Sequence, residues 1–106
     1  MNYTRLQQID GDHYLSFDCG ALPGDAAAIS RGFEANGHFW ESVATFLAPE
    51  LCERLELDSE GSMFCAYGSQ ADLVELQALL DPALSDERAL TKLIDDAEAR
   101  GEELED

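Results

Sequence analysis

Cations are scarce in this chain: lysine and arginine together number 6 of 106 residues, against 23 aspartates and glutamates, for a formal charge of −17 at pH 7. A surface that negative repels phosphate backbones, so direct binding to DNA or RNA is not expected. Cysteine is also sparse. Cys19, Cys52 and Cys65 are odd in number and widely spaced, which fits neither a disulfide framework nor a zinc site. Each lies among apolar neighbours, and the expectation is three reduced, partly buried thiols in a cytoplasmic protein. No run approaches ~18 consecutive apolar residues, which excludes a membrane-spanning helix. The opening "MNYTRLQQIDGDHYLSFD" has no basic region followed by an apolar run, so no signal peptide is expected. Catalytic signatures are missing too: there is no G-x-S-x-G elbow, phosphate-binding glycine loop, H-E-x-x-H pair or C-x-x-C. A nucleophilic thiol needs an electropositive setting, and acidic surroundings push a thiol pKa up. The expectation is a protein with no catalytic residue, no metal and no cofactor.

What remains is 45% hydrophobic, enough for one globular core in a chain of this length. Two strand-like segments, "YTRLQQI" and "HYLSFDC", flank Asp10-Gly11-Asp12, a hairpin signal. In the second segment Leu15, Phe17 and Cys19 share one face, and Tyr14, Ser16 and Asp18 the other. Asp25 can cap a short helix carrying Ala27, Ala28 and Ile29, which Gly32 weakens. Asn36 is a good N-cap for a helix on which Phe39, Val43, Phe46 and Leu47 recur at helical spacing. Pro49 stops that helix and can open a further turn over 50–54.

"RLELD" and "SMFCAYG" then alternate around Ser59-Glu60-Gly61, with Gly61 the natural residue for the positive φ of a short hairpin loop. Leu55 and Leu57 point inward there, Arg54, Glu56 and Asp58 outward. "SQAD" at 69–72 reads as a capping-box variant opening a helix with Leu73, Leu76 and Leu80 buried, which Pro82 ends. Ser85 or Asp86 opens the last helix, with Leu90, Leu93, Ile94 and Ala97 inward, and Gly101 closes it. The reading is one α+β domain over 1–101. Its antiparallel sheet is built from two hairpins with helices on one face, in the order ββααββαα. Residues 102–106, "EELED", read as a frayed acidic tail.

His38 and Glu41, three apart on a helix, could share a metal, but two ligands do not make a site and His13 lies on another element. Both are better explained as exposed first-turn residues, since a glutamate there is favoured by the helix dipole. Phe39 falls on the buried stripe. Trp40 falls at its edge, where the indole N–H can find a partner and a ring face could reach another protein.

"NGHFWESVA", "RLELDSEGSMFCAYGS" and the following "LVELQALL" together resemble the bacterial immunity protein 51 family of polymorphic toxin systems. In that family "NGYFWEGVA"-like and "EAGMFCAYS"-like stretches recur. The resemblance covers roughly residues 36 to 80, with a weaker echo in "YLSFDCG" and "ISRGFEANG". The motif carries over at Gly37, Phe39, Trp40 and Glu41, then at Glu60, Gly61, Met63, Phe64, Cys65, Ala66 and Tyr67. His38 replaces an aromatic position and Ser42 a small one. The resemblance implies a small cytoplasmic, non-catalytic protein that binds and blocks a cognate toxin domain. Motif residues in such families often hold the fold while the binding surface varies.

The charge agrees independently, because a strongly acidic protein suits a basic partner and electrostatic steering speeds its capture. The hairpin acids Glu56, Asp58 and Glu60, with Trp40 and Glu41 at the start of the aromatic helix, form the expected toxin-binding surface. Two other readings stay open: an acidic adaptor or nucleic-acid mimic for a different basic partner, and a small enzyme using Glu56, Asp58 and Glu60. Oligomeric state is not legible.

Overall fold

A computed structural model describes residues 3–106. β1 (Arg5–Ile9) and β2 (Asp12–Asp18) form the first hairpin. Three helices follow: α1 (Asp25–Ser30), α2 (Gly37–Leu47) and α3 (Pro49–Glu53). The second hairpin is β3 (Glu56–Leu57) and β4 (Met63–Gly68), and α4 (Gln70–Ser85) and α5 (Glu87–Ala99) complete the fold. The architecture is the α+β arrangement expected from the sequence pattern. The hairpins join through an antiparallel β2–β4 pair, giving the strand order β1-β2-β4-β3.

Asp10 and Gly11, with φ of 50° and 85°, make the two-residue turn between β1 and β2. Both central residues of such a turn need positive φ, which Asp-Gly supplies at low cost. Across the sheet, Leu6, Leu15, Ala66 and Leu57 fall in one row, and Phe17 stands opposite Phe64. On this face α2 packs against β4, and α4 against β2 and β4. Phe17 stacks on Phe64 with ring centroids 4.8 Å apart, and Trp40 meets Phe17 edge-on at 5.7 Å. Phe39 closes on Trp40 at 5.4 Å and on Phe33 at 5.1 Å. Such ring pairs add about 0.5–1.5 kcal/mol each beyond the area they bury.

The helix starts follow their caps. The Asn36 side chain accepts from the Phe39 N–H at 2.8 Å, Ser69 from Asp72 at 3.2 Å, and Asp86, rather than Ser85, from Arg88 at 2.9 Å. Gly101, at φ 71°, ends α5. Asp25 is the first residue of α1, with Gly24 in the cap position, and its buried carboxylate accepts from the Leu22 N–H at 3.0 Å. Burial pushes that carboxyl above the ordinary aspartate range, against the hydrogen bonds from Leu22 and Gly20.

Several local expectations are revised. Pro82 lies inside α4 instead of ending it. The buried stripe continues across it through Leu80, Ala83 and Leu84, and Ala78, whose carbonyl loses its N–H partner, is exposed. Burial of those side chains outweighs an interior proline's cost of about 3 kcal/mol. Gly61 does not adopt positive φ; reciprocal bonds between Glu60 and Met63, at 2.8 and 3.3 Å, close the turn without it. The strand expected over 54–58 is regular only at Glu56–Leu57. Trp40 is not at the edge of its stripe but fully buried, and its indole N–H has no hydrogen-bond partner among the described residues.

The acidic tail is laid along the protein. Asp106 accepts from the Glu34 N–H at 2.7 Å and from the Asn36 side chain at 2.9 Å, Glu105 donates to Ser42 at 3.0 Å, and Leu104 packs on the core. One apolar residue and three hydrogen bonds hold a segment whose composition alone suggests fraying.

Trp40 and Phe64 are both 0% exposed. Truncating either to alanine is expected to cost about 3–5 kcal/mol, from lost transfer energy plus the cavity left behind. Urea unfolding midpoints check this; a change of only a few tenths of a kcal/mol would contradict the packing.

Candidate functional site

The residues singled out in the sequence gather where α2 meets the second hairpin. Gly37, in the first turn of α2, donates its N–H to the Gly61 carbonyl at 3.2 Å. A Cβ at Gly37 would lie 2.0 Å from the Glu60 carbonyl oxygen and 2.6 Å from that of Met63. Only glycine permits this approach, so the helix seats directly on the hairpin turn. One helical turn further, the Glu41 carboxylate accepts from the Ser59 N–H at 2.9 Å. The Ser59 hydroxyl in turn accepts from the Cys65 N–H at 3.0 Å. The stretches "NGHFWE" and "SEGSMFC" are thus two sides of one joint.

This joint brings Glu41, Asp58 and Glu60 around Cys65. Burial first, then those three carboxylates, push the Cys65 thiol above its ordinary range. Burial raises Cys52 likewise and carries Cys19 up to about 11. All three thiols are therefore held protonated, the opposite of what a nucleophile requires. Glu56 lies two residues before Asp58 on the same hairpin, opposite Tyr67 on the sheet face that carries no helix. Trp40 lies beneath the joint, supporting it against Phe17, and offers no surface of its own.

Glu41 is half-buried, whereas Glu56, Asp58 and Glu60 are exposed. None of the four has an ion-pair partner among the described residues. Three of the five arginines are committed elsewhere: Arg5 to Asp18, Arg31 to Asp95 and Glu98, and Arg54 to Asp72. Those contacts hold the Asp18 and Asp72 carboxyls below the usual carboxylate range. The acids at the joint are therefore left unneutralised. Among the described residues no three histidine, cysteine or acidic side chains converge as a metal site, and no helix is long and apolar enough to cross a membrane.

Two further surfaces escaped the sequence reading. On the uncovered sheet face Tyr14 and Tyr67 pair at 5.7 Å, and the Tyr14 hydroxyl donates to Gln7 at 2.9 Å. The signal was present, since both tyrosines fall out of phase with the core residues of their strands. The other is a groove of about 500 Å³ between the outer face of α2 and the tail, into which Glu41 also faces. No local pattern marks it, because its far wall is the segment expected to fray.

The family model described as immunity protein 51 matches residues 15–99, from β2 to the end of α5 and well beyond the 36–80 span of the resemblance. No curated protein and no solved structure matches the chain.

Glu41→Ala is expected to cost about 1–2 kcal/mol, because it strands the part-buried Ser59 N–H. Glu41→Gln, which keeps an acceptor, is expected to restore most of that loss in the same thermal melt. Equal destabilisation by the two variants would show that charge, not the hydrogen bond, holds the joint.

Proposed function

The chain belongs to the immunity protein 51 family, and from that premise we propose that it neutralises a cognate, basic toxin domain by binding it, with no catalytic step of its own. The observation that carries this reading is the unneutralised acid at the α2–hairpin joint, set on a backbone that Gly37 and Glu41 fix in place. Asp58, Glu60 and Glu56 project from that fixed edge and Glu41 stands beside them, so the charges are preorganised for an incoming cationic surface. Preorganisation matters because ordering side chains on binding costs affinity. Trp40 contributes from below, by holding the helix against the sheet, and does not touch the partner.

Electrostatics assigns these acids mainly to the rate of capture. Oppositely charged surfaces associate at up to ~10⁸–10⁹ M⁻¹s⁻¹ at low salt, against ~10⁵–10⁶ M⁻¹s⁻¹ without steering. A toxin acting on nucleic acid or a membrane surface would itself carry basic character, the complement of −17. Protection of the producing cell places the protein in the cytoplasm, where free thiols such as Cys52 and Cys65 stay reduced. Carboxylate catalysis is the weaker reading, since Glu56, Asp58 and Glu60 are exposed and nothing desolvates them.

The test is co-expression with a candidate toxin domain sought in the genes beside this one, followed by association kinetics on the purified pair. The wild type is expected to associate fast at low salt and to slow steeply as salt rises. Replacing Glu56, Asp58 and Glu60 together by lysine is expected to slow association roughly tenfold or more and flatten the salt dependence, with the melting temperature unchanged. Unchanged kinetics in the triple variant would remove the hairpin from the interface, and no binding by the wild type would refute the reading.

A further inference from the structure

The groove beside α2 has an apolar floor and acidic walls. Its floor is Phe46 from α2, Leu57 from β3 and Leu104 from the tail, each half-buried. Glu41 stands on one wall, and Glu102, Glu103, Glu105 and Asp106 form the other. No lysine or arginine lines it. The nearest interaction of that kind is Arg100, whose guanidinium lies 5.5 Å from the centroid of the Phe46 ring.

The tail wall is built, not incidental. Asp106 and Glu105 are bonded to Glu34, just before α2, to its cap Asn36 and to Ser42 in its second turn, and Leu104 anchors them. These bonds hold like charges together with no lysine or arginine among the lining residues, so a cationic occupant relieves an unfavourable field already present. The floor selects the form of that cation. Lysine and arginine lay apolar stems along an apolar surface and keep the charged head at its rim. A guanidinium also stacks on an aromatic face, as Arg100 does on Phe46.

We propose that this groove receives an extended, lysine- or arginine-bearing segment of the protein partner, clamped between α2 and residues 102–106. The inference rests on the toxin-binding reading above and adds a desolvated anchor to it. The exposed hairpin acids speed encounter but hold a complex weakly, because rim charges act on association more than on lifetime. A basic segment lying on Phe46, Leu57 and Leu104 supplies the slow dissociation that inhibition requires.

Two variants test it against the same candidate toxin domain. Thr45→Arg, at an exposed position of α2 lining the groove, fills it with the chain's own cation. Glu102→Gln, Glu103→Gln and Glu105→Gln together remove three of the four acidic side chains of the tail wall without touching the core. Loss of affinity of roughly tenfold or more, expressed mainly in dissociation rate, is expected in a variant whose circular dichroism and melt match the wild type. Such a loss in either folded variant supports the groove, and the tail variant serves if Thr45→Arg does not fold. Binding within about twofold of wild type by the tail variant, and by Thr45→Arg if it folds, overturns the groove and leaves the toxin-binding reading standing. Failure of the wild type itself to bind overturns both.

Discussion

The contact on which the arrangement depends is the seat of α2 on the β3–β4 turn. Gly37 has no space for even a methyl group against the Glu60 and Met63 carbonyls. Its N–H and the Glu41 carboxylate satisfy, in turn, the Gly61 carbonyl and the Ser59 N–H. From that seat the rest follows geometrically. Trp40, three residues on from Gly37, is driven into the angle between helix and sheet, where it meets Phe17 edge-on above the Phe17–Phe64 stack. Burial of the indole is favourable enough to accept an N–H without a partner among the described residues, a polar group whose loss of water costs about 1–3 kcal/mol. The same seat turns Asp58 and Glu60 outward and holds the acid edge rigid.

The charge distribution then separates structural from functional electrostatics. The ion pairs of Arg5, Arg31 and Arg54 are largely exposed, and pairs of that kind contribute about 0–1 kcal/mol each. They do little for the fold, but they remove three of six cations from the field around the joint. Among the acids left unpaired are those that run from the hairpin across Glu41 to the tail. Proposed as a binding surface, they have two parts of different character: an exposed edge suited to steering and a half-enclosed groove suited to retention.

Strand and helix identities were largely legible, because Leu15 and Phe17, then Phe39 and Val43, then Leu73, Leu76 and Leu80, keep the periods of their elements. Caps were legible for the same local reason, at Asn36 and Ser69. Nonlocal contacts escaped. Glu41 looks like a helix-dipole residue until the hairpin is placed against it, and nothing in its own neighbourhood names Ser59 as its partner. Pro82 and Gly61 misled because their intrinsic preferences were set aside: one by burial of Ala83 and Leu84, the other by the Glu60–Met63 pair. The tail's position depends on Asn36 and Ser42, more than sixty residues upstream of it. Of the five residues expected at the site, Glu41, Asp58 and Glu60 lie around Cys65, Glu56 lies further along the same hairpin, and Trp40 lies underneath.

The most direct measurement is a hydrogen-exchange footprint of the protein free and bound to the toxin domain it is proposed to neutralise. On binding, exchange is expected to slow across residues 37–46 and 56–63 and in the tail at 102–106, with α5 and the β1–β2 hairpin unchanged. Slowing confined to the uncovered sheet face around Tyr14 and Tyr67, with the α2–hairpin joint and tail unaffected, would contradict the account.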